Sequence, residues 1–318
     1  SAVSVLDEEN GTEVETEYQM NLKYGSITVY IGADDKQYVQ QGNNEAQQRG
    51  NLSITTDGSQ THNTITIKGG TMGAKVTLSN VNIETTSNAA VSVSGNVELV
   101  IAGTNTLQSG PKHAGVEKAD DNGTLTISGF GTLNAYGGES GAGIGGAWHK
   151  NASNIVIEGG TIEANGGNWG AGIGGGHGAA GQNITIRDGN VTAKPGGEAA
   201  GIGGGYLGDG KNITIEGGTV YSRSGGGSGP VAALGGGREI TIDPSKLLGT
   251  IIKLDENDVK VAEIVQDFDI IINGQSVNSK NYNNILGGTL CYDIEEKTLK
   301  LKDGKSFEGA LTITAPED

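Results

Sequence analysis

Cysteine is almost missing from this chain: Cys291 stands alone among 318 residues, so no disulfide can close within it. Aromatic residues make up only 4%. A conventional globular core, filled by bulky rings, is therefore excluded. Charged residues reach only 18%, and β-branched residues are plentiful, which argues against a disordered chain. Basic residues are the scarcer sign: 21 Lys and Arg face 37 Asp and Glu, for a formal charge of −16. Such a surface repels phosphate backbones and anionic headgroups, so neither nucleic acid nor an acidic membrane surface is an expected partner. No apolar run approaches the length of a membrane span. The opening stretch, "SAVSVLDEENGTEVETE", contains no signal-peptide apolar core. It reads as the start of a trimmed chain or of a mature secreted one.

What the chain has instead is glycine, 57 residues of it. The composition suits an all-β protein of many short strands and Gly-filled turns. The glycines are not scattered. "NIVIEGGTIEANGGNWGAGIGGG", "NITIRDGNVTAKPGGEAAGIGGG" and "NITIEGGTVYSRSGGGSGPVAALGGG" begin at Asn154, Asn183 and Asn212, which are 29 residues apart. A looser copy starts at Thr124. Fixed self-similarity at this period marks a solenoid or an array. Within the second copy the apolar residues fall in pairs, Ile184 with Ile186, Val191 with Ala193, and Ala200 with Ile202. Each pair is separated by one polar or glycine position, the period of a strand.

Three short strands per unit of constant length predict a parallel β-helix, right-handed by the preference of parallel crossovers. The expected limits are 22–245, with 1–21 as an N-terminal cap. Beyond a composition change near Asp243-Pro244, residues 246–318 read as a small β domain or linking unit. Ile155, Ile184 and Ile213 should stack inside, as should Ile144, Ile173 and Ile202. The Gly-rich "AGIGGG" then becomes a thin wall with one inward isoleucine, its corners needing the φ > 0 that glycine allows. The coils before Thr124 are expected to be shorter and less regular. The last segment, "LKLKDGKSFEGALTI", reads as though the chain continued.

Several motifs look like chemistry and are not. "GAGIGG" fits a dinucleotide fingerprint at Gly141, Gly143 and Gly146, and again at Gly170, Gly172 and Gly175, but strands rather than helices follow it. "GYLGDGKN" lacks the Ser or Thr of a phosphate loop. His62, His113, His149 and His177 have no metal-ligand spacing, although His149 and His177 could meet on adjacent coils. The acidic turns "GADDKQ" and "KADDNG" leave calcium open without a motif, since Asp and Asn favour turns for their own reasons. No other cofactor is indicated.

Side chains in register are more informative. Four residues after each "GIGG" isoleucine, or its equivalent Leu234, come Trp148, His177, Tyr206 and Arg238. Four residues before it come Ser140, Trp169, Glu198 and Pro230. Both tryptophans of the chain thus flank the Gly-rich wall. Trp148, Trp169, His177 and Tyr206 are the candidate carbohydrate-binding residues, since rings beside polar groups suit sugar CH faces. The alternative is that they merely cover backbone at the corners. A second register carries Glu158, Arg187 and Glu216. It reads as a surface charge ladder, or, in an enzyme, as Glu158 and Glu216 forming a catalytic pair.

The run "KVTLSNVNIETTSNAAVSVSGNVELVIAGTNTLQSG", then "GTLTISGFGTLNAYGGESGAGIGG" and the "NITIEGGT" series, resembles the Gly-rich β-helix segments of carbohydrate-binding-domain-containing proteins, secreted or wall-attached, of Gram-positive gut bacteria. "DIIINGQSVNSKNYNNILGGTLCYDIEEKTLKLKDG" resembles a linking β unit of the same proteins. The resemblance implies an extracellular, cell-surface module whose partner is a polysaccharide or host glycan, and it carries over no catalytic residue. A β-helical hydrolase or lyase and a structural stalk are the other two readings.

Overall fold

The computed structural model describes residues 5–6, 13–14, 17–118, 122–226, 233–235, 250–254, 260–264, 267–272, 275–278, 285–286, 290–293, 298–301 and 312–314. The chain winds as a parallel β-solenoid with three walls. The first wall is an eight-stranded sheet that begins at Tyr18–Asn21 and ends at Gly210–Ile215. The second begins at Gln60–Thr61 and continues, still parallel, to Thr250–Leu254 against Thr219–Arg223. The third runs from Ile27–Ile31 to Leu234–Gly235. One full coil is Ala152–Ile157, Thr161–Asn165 and Ile173–Gly174, in that order.

Register explains why the repeat length matters. Leu125, Ile155, Ile184 and Ile213 are consecutive partners along the first wall. Val116, Ile144, Ile173, Ile202 and Leu234 are partners along the third. All of these point inward and are buried. The two isoleucine stacks expected from the repeat are therefore present. Each fully buried isoleucine contributes about 1.5–3 kcal/mol, and stacking like on like keeps the coil cross-section constant from one turn to the next.

Proper ends prevent the open edges from pairing with other chains. At the start of the third wall, Ile27–Ile31 pairs antiparallel with Gln37–Gln41, which pairs with the two-residue Gln47–Gln48. Gln37 and Gln41 turn inward and donate to backbone carbonyls of Arg49 and Asn21, each at 2.8 Å. At the other end Lys260–Ile264 lies antiparallel on Thr250–Leu254. A separate antiparallel β region, including Asp267–Ile272, Gln275–Asn278, Leu290–Asp293 and Thr298–Leu301, has its own small core of Ile272, Val277, Ile285 and Leu290.

The Gly-rich wall has a steric cause as well as a conformational one. Gly145, Gly174, Gly203 and Gly235 are register partners with φ between 115° and 140°. A Cβ on Gly174 would overlap the carbonyl oxygen of Gly203 in the next coil. Backbone packs directly on backbone, and no L side chain fits. The first wall has its own local device. Asn154, Asn183 and Asn212 are all left-handed, with φ of 58°, 54° and 52°, a conformation Asn tolerates better than most residues. Their side-chain amides form a ladder: Asn183 Nδ2 donates to Asn154 Oδ1, and Asn212 Nδ2 to Asn183 Oδ1, both at 3.0 Å.

Candidate functional site

After each short third-wall strand the chain leaves the wall in a loop held largely by backbone hydrogen bonds. The ladder residue's N–H donates backwards by one coil: Trp148 to Lys112 O, His177 to Ser140 O and Tyr206 to Trp169 O, each at 2.9 Å. The following residue's N–H reaches forwards, His149 to His177 O at 3.0 Å and Gly178 to Tyr206 O at 2.8 Å. Every loop is thus tied to the coil on either side, and the rings it carries are held in fixed succession.

These bonds gather five rings on one face. Trp148 and His149 have centroids 4.6 Å apart, His149 and His177 5.5 Å, Trp169 and His177 5.2 Å, and His177 and Tyr206 5.7 Å. His177 is the hub, in ring contact with three neighbours. Trp169, His177 and Tyr206 are half-buried, and Trp148 is 39% exposed. The four residues chosen from register are brought together, with one difference. Trp148 reaches the hub through His149, whose backbone is left-handed at φ 56°, rather than stacking on His177 as a simple ladder would. His149 lies one place off the ladder register, so the sequence shows only its possible approach to His177. Arg238 and Pro230 lie outside the described residues.

Two further residues belong to this face. Lys112 occupies the coil before Ser140 in the pre-strand register, because Val116 pairs with Ile144. Its ammonium sits 4.4 Å from the Trp148 ring centroid. The shared "AG" before Val116 and Ile144 was the signal that could have located it. Leu207, next to Tyr206, is 80% exposed and left-handed at φ 62°. A bulky residue in that region costs roughly 1–2 kcal/mol, and an exposed leucine gains no burial to offset it.

Beside Trp148 lies a cleft of ≈ 290 Å³ bordered by Lys112, His113, Glu117, Lys118 and Lys150. His113 Nδ1 is 2.7 Å from Glu117 Oε2. A second hollow of ≈ 340 Å³ on the first wall has no ring in its lining, and its Lys75 is paired with Glu98 at 3.0 Å.

The Glu158–Arg187–Glu216 register lies elsewhere, on the outside of the first wall. Arg187 Nη1 donates to Glu158 Oε1 at 2.8 Å and its Nε to Glu216 Oε2 at 3.2 Å. The Glu158 bond, then the Glu216 bond, holds the guanidinium above its usual range. All three are exposed. In the "GADDKQ" turn, Asp34 accepts from the Lys36 N–H and the Tyr38 hydroxyl. Residues 119–121 of "KADDNG" lie outside the described residues. Among the described residues no group of three or more His, Cys, Asp or Glu could hold a metal ion, and no helix is long and apolar enough to cross a membrane.

With the coil and its loops defined, the chain is a β-helix protein. The beta helix repeat family matches residues 125–148, 155–177 and 184–206. Each matched segment ends on a ladder residue: Trp148, His177 or Tyr206. No curated protein and no solved structure matches the chain.

Proposed function

We propose that this β-helix is an extracellular, cell-surface binding module that recognises carbohydrate through the face built by Trp148, His149, Trp169, His177 and Tyr206. The observation that carries the reading is the convergence of both tryptophans of an aromatic-poor chain on one half-exposed patch, from two different loops. A sugar ring offers CH groups to such a surface and hydroxyls to its rim. The acidic charge and the resemblance to secreted Gly-rich β-helices are compatible with display outside the cell. Glu158 and Glu216 suit a stabilising ladder better than an acid/base pair, since both carboxylates are hydrogen-bonded to the one arginine between them on an exposed wall. The reading is tested by a glycan array. Binding to one or a few related glycans supports it, and a silent array would remove it.

A further inference from the structure

The basic groups of this acidic protein are not evenly employed. Arg187 is paired with two carboxylates, Lys75 with one, and Arg49 lies over the Tyr18 ring at 4.2 Å. Around Trp148 several basic groups converge. Lys112, Lys118 and Lys150, with His113, border one cleft. Among the described residues Glu117 is its lining carboxylate, engaged by His113 Nδ1 at 2.7 Å and by the Ala114 N–H at 3.4 Å. Lys118 is buried and donates to the Asn122 carbonyl at 2.7 Å. Lys112 and Lys150 are exposed, and among the described residues neither forms an ion pair with a carboxylate.

Among the described residues the Lys112 ammonium is held by the Trp148 ring, a weak attraction at an exposed site. A carboxylate or sulfate oxygen would outbid the ring for that ammonium and leave the indole face to a sugar. Lysines, as compact point charges, serve either anion, where a planar bidentate site would call for arginine. At ≈ 290 Å³ the cleft lies near the lower end of ligand-pocket sizes, about 300–1,000 Å³, a volume suited to one charged sugar unit with its neighbours running on over His177 and Tyr206.

We infer that the ligand is an acidic glycan, with the carboxylate or sulfate of one sugar seated between Lys112 and Lys150 beside Trp148. This rests on the carbohydrate reading above and adds the sign of the ligand's charge, against the net charge of the protein.

The test uses the whole chain on an array of paired glycans: galacturonan with galactan, glucuronan with glucan, and sulfated with unsulfated galactan oligomers. The acidic member of at least one pair should bind at least tenfold more tightly, and the uronate and sulfate arms identify the anion. Calorimetry on that pair should show the preference shrinking to about twofold or less in Lys112→Gln/Lys150→Gln, and weakening as salt rises. Circular dichroism of the variant should match the parent. Trp148→Ala should weaken both members of the pair. Equal binding of acidic and neutral members, or a preference that survives the double lysine change, overturns the charge inference and leaves the aromatic reading standing. Absence of binding to every glycan overturns both.

Discussion

The coils before and after residue 120 build the same interior and different exteriors. Upstream, the third wall is made of ordinary four-residue strands, Ile65–Lys68 and Val91–Ser94, whose side chains alternate inward and outward. Downstream it shrinks to two-residue strands, Ile144–Gly145, Ile173–Gly174 and Ile202–Gly203. The register makes the contrast positional. Ser92 pairs with Glu117, Glu117 with Gly145, and Gly145 with Gly174. One place in the coil thus takes a serine, then a glutamate, then glycines. A side chain is tolerated there upstream, so the solenoid itself does not demand glycine. Glycine enters where successive coils press backbone on backbone and where the loops carry rings. The downstream coils are also longer: Val76 pairs with Leu99, whereas Ile155 pairs with Ile184 and Ile184 with Ile213. The aromatic face is therefore a local elaboration on a wall that the fold can make more simply.

The shared interior can be broken in either region. Ile184→Asp downstream and Val97→Asp upstream, which occupy one continuous inward register, each bury an unpaired carboxylate. Both variants should fail to fold or lose most of their soluble yield, measured by expression and far-UV circular dichroism. Survival of either would mean that its coil does not share the common core.

The wall contrast gives the next effect. Gly174→Ser forces a Cβ into the Gly203 carbonyl at an unfavourable φ, and should cost about 3 kcal/mol in denaturant unfolding. The reciprocal Ser92→Gly should cost no more than about 1 kcal/mol. Similar costs for the two would erase the distinction between the walls. Asn183→Ala removes two rungs of the amide ladder and places alanine in a left-handed conformation, an expected loss of about 1–2 kcal/mol. The smallest effect belongs to Glu158→Gln/Glu216→Gln. On an exposed surface this double change should leave the unfolding midpoint nearly unmoved and glycan binding unaltered. A polysaccharide-cleaving activity abolished by it would instead favour the hydrolase or lyase reading.

Much of the fold was legible because a solenoid writes its geometry into a period. The 29-residue spacing of Asn154, Asn183 and Asn212, with alternating isoleucines, gave the strands, their parallel pairing and the two inner stacks. The register also brought Trp148, Trp169, His177 and Tyr206 to one face. What stayed hidden depended on backbone conformation. The asparagines marked the start of each repeat, but their left-handed φ and amide ladder have no periodic hydrophobic signal. His149 joins the rings through a φ of 56°. Lys112 lies in a coil whose third wall reads "AGVEK" rather than "AGIGG", so only the shared "AG" hints at its place in the ladder, which the pairing of Val116 with Ile144 fixes. The overlap of Gly174 with the next coil is a contact between chain segments 29 residues apart, and no local rule announces it.

The central claim is that the downstream face binds sugar. It is tested most directly by calorimetric titration of the parent chain, Trp148→Ala and Tyr206→Ala with the glycan that an array selects. A shallow aromatic face should bind with a Kd of roughly micromolar to millimolar, about −8 to −4 kcal/mol. Each variant should lose around tenfold in affinity while its circular dichroism and unfolding midpoint stay close to the parent. Unchanged affinity in both folded variants would contradict the account and reduce the rings to a covering for the corners of the coil.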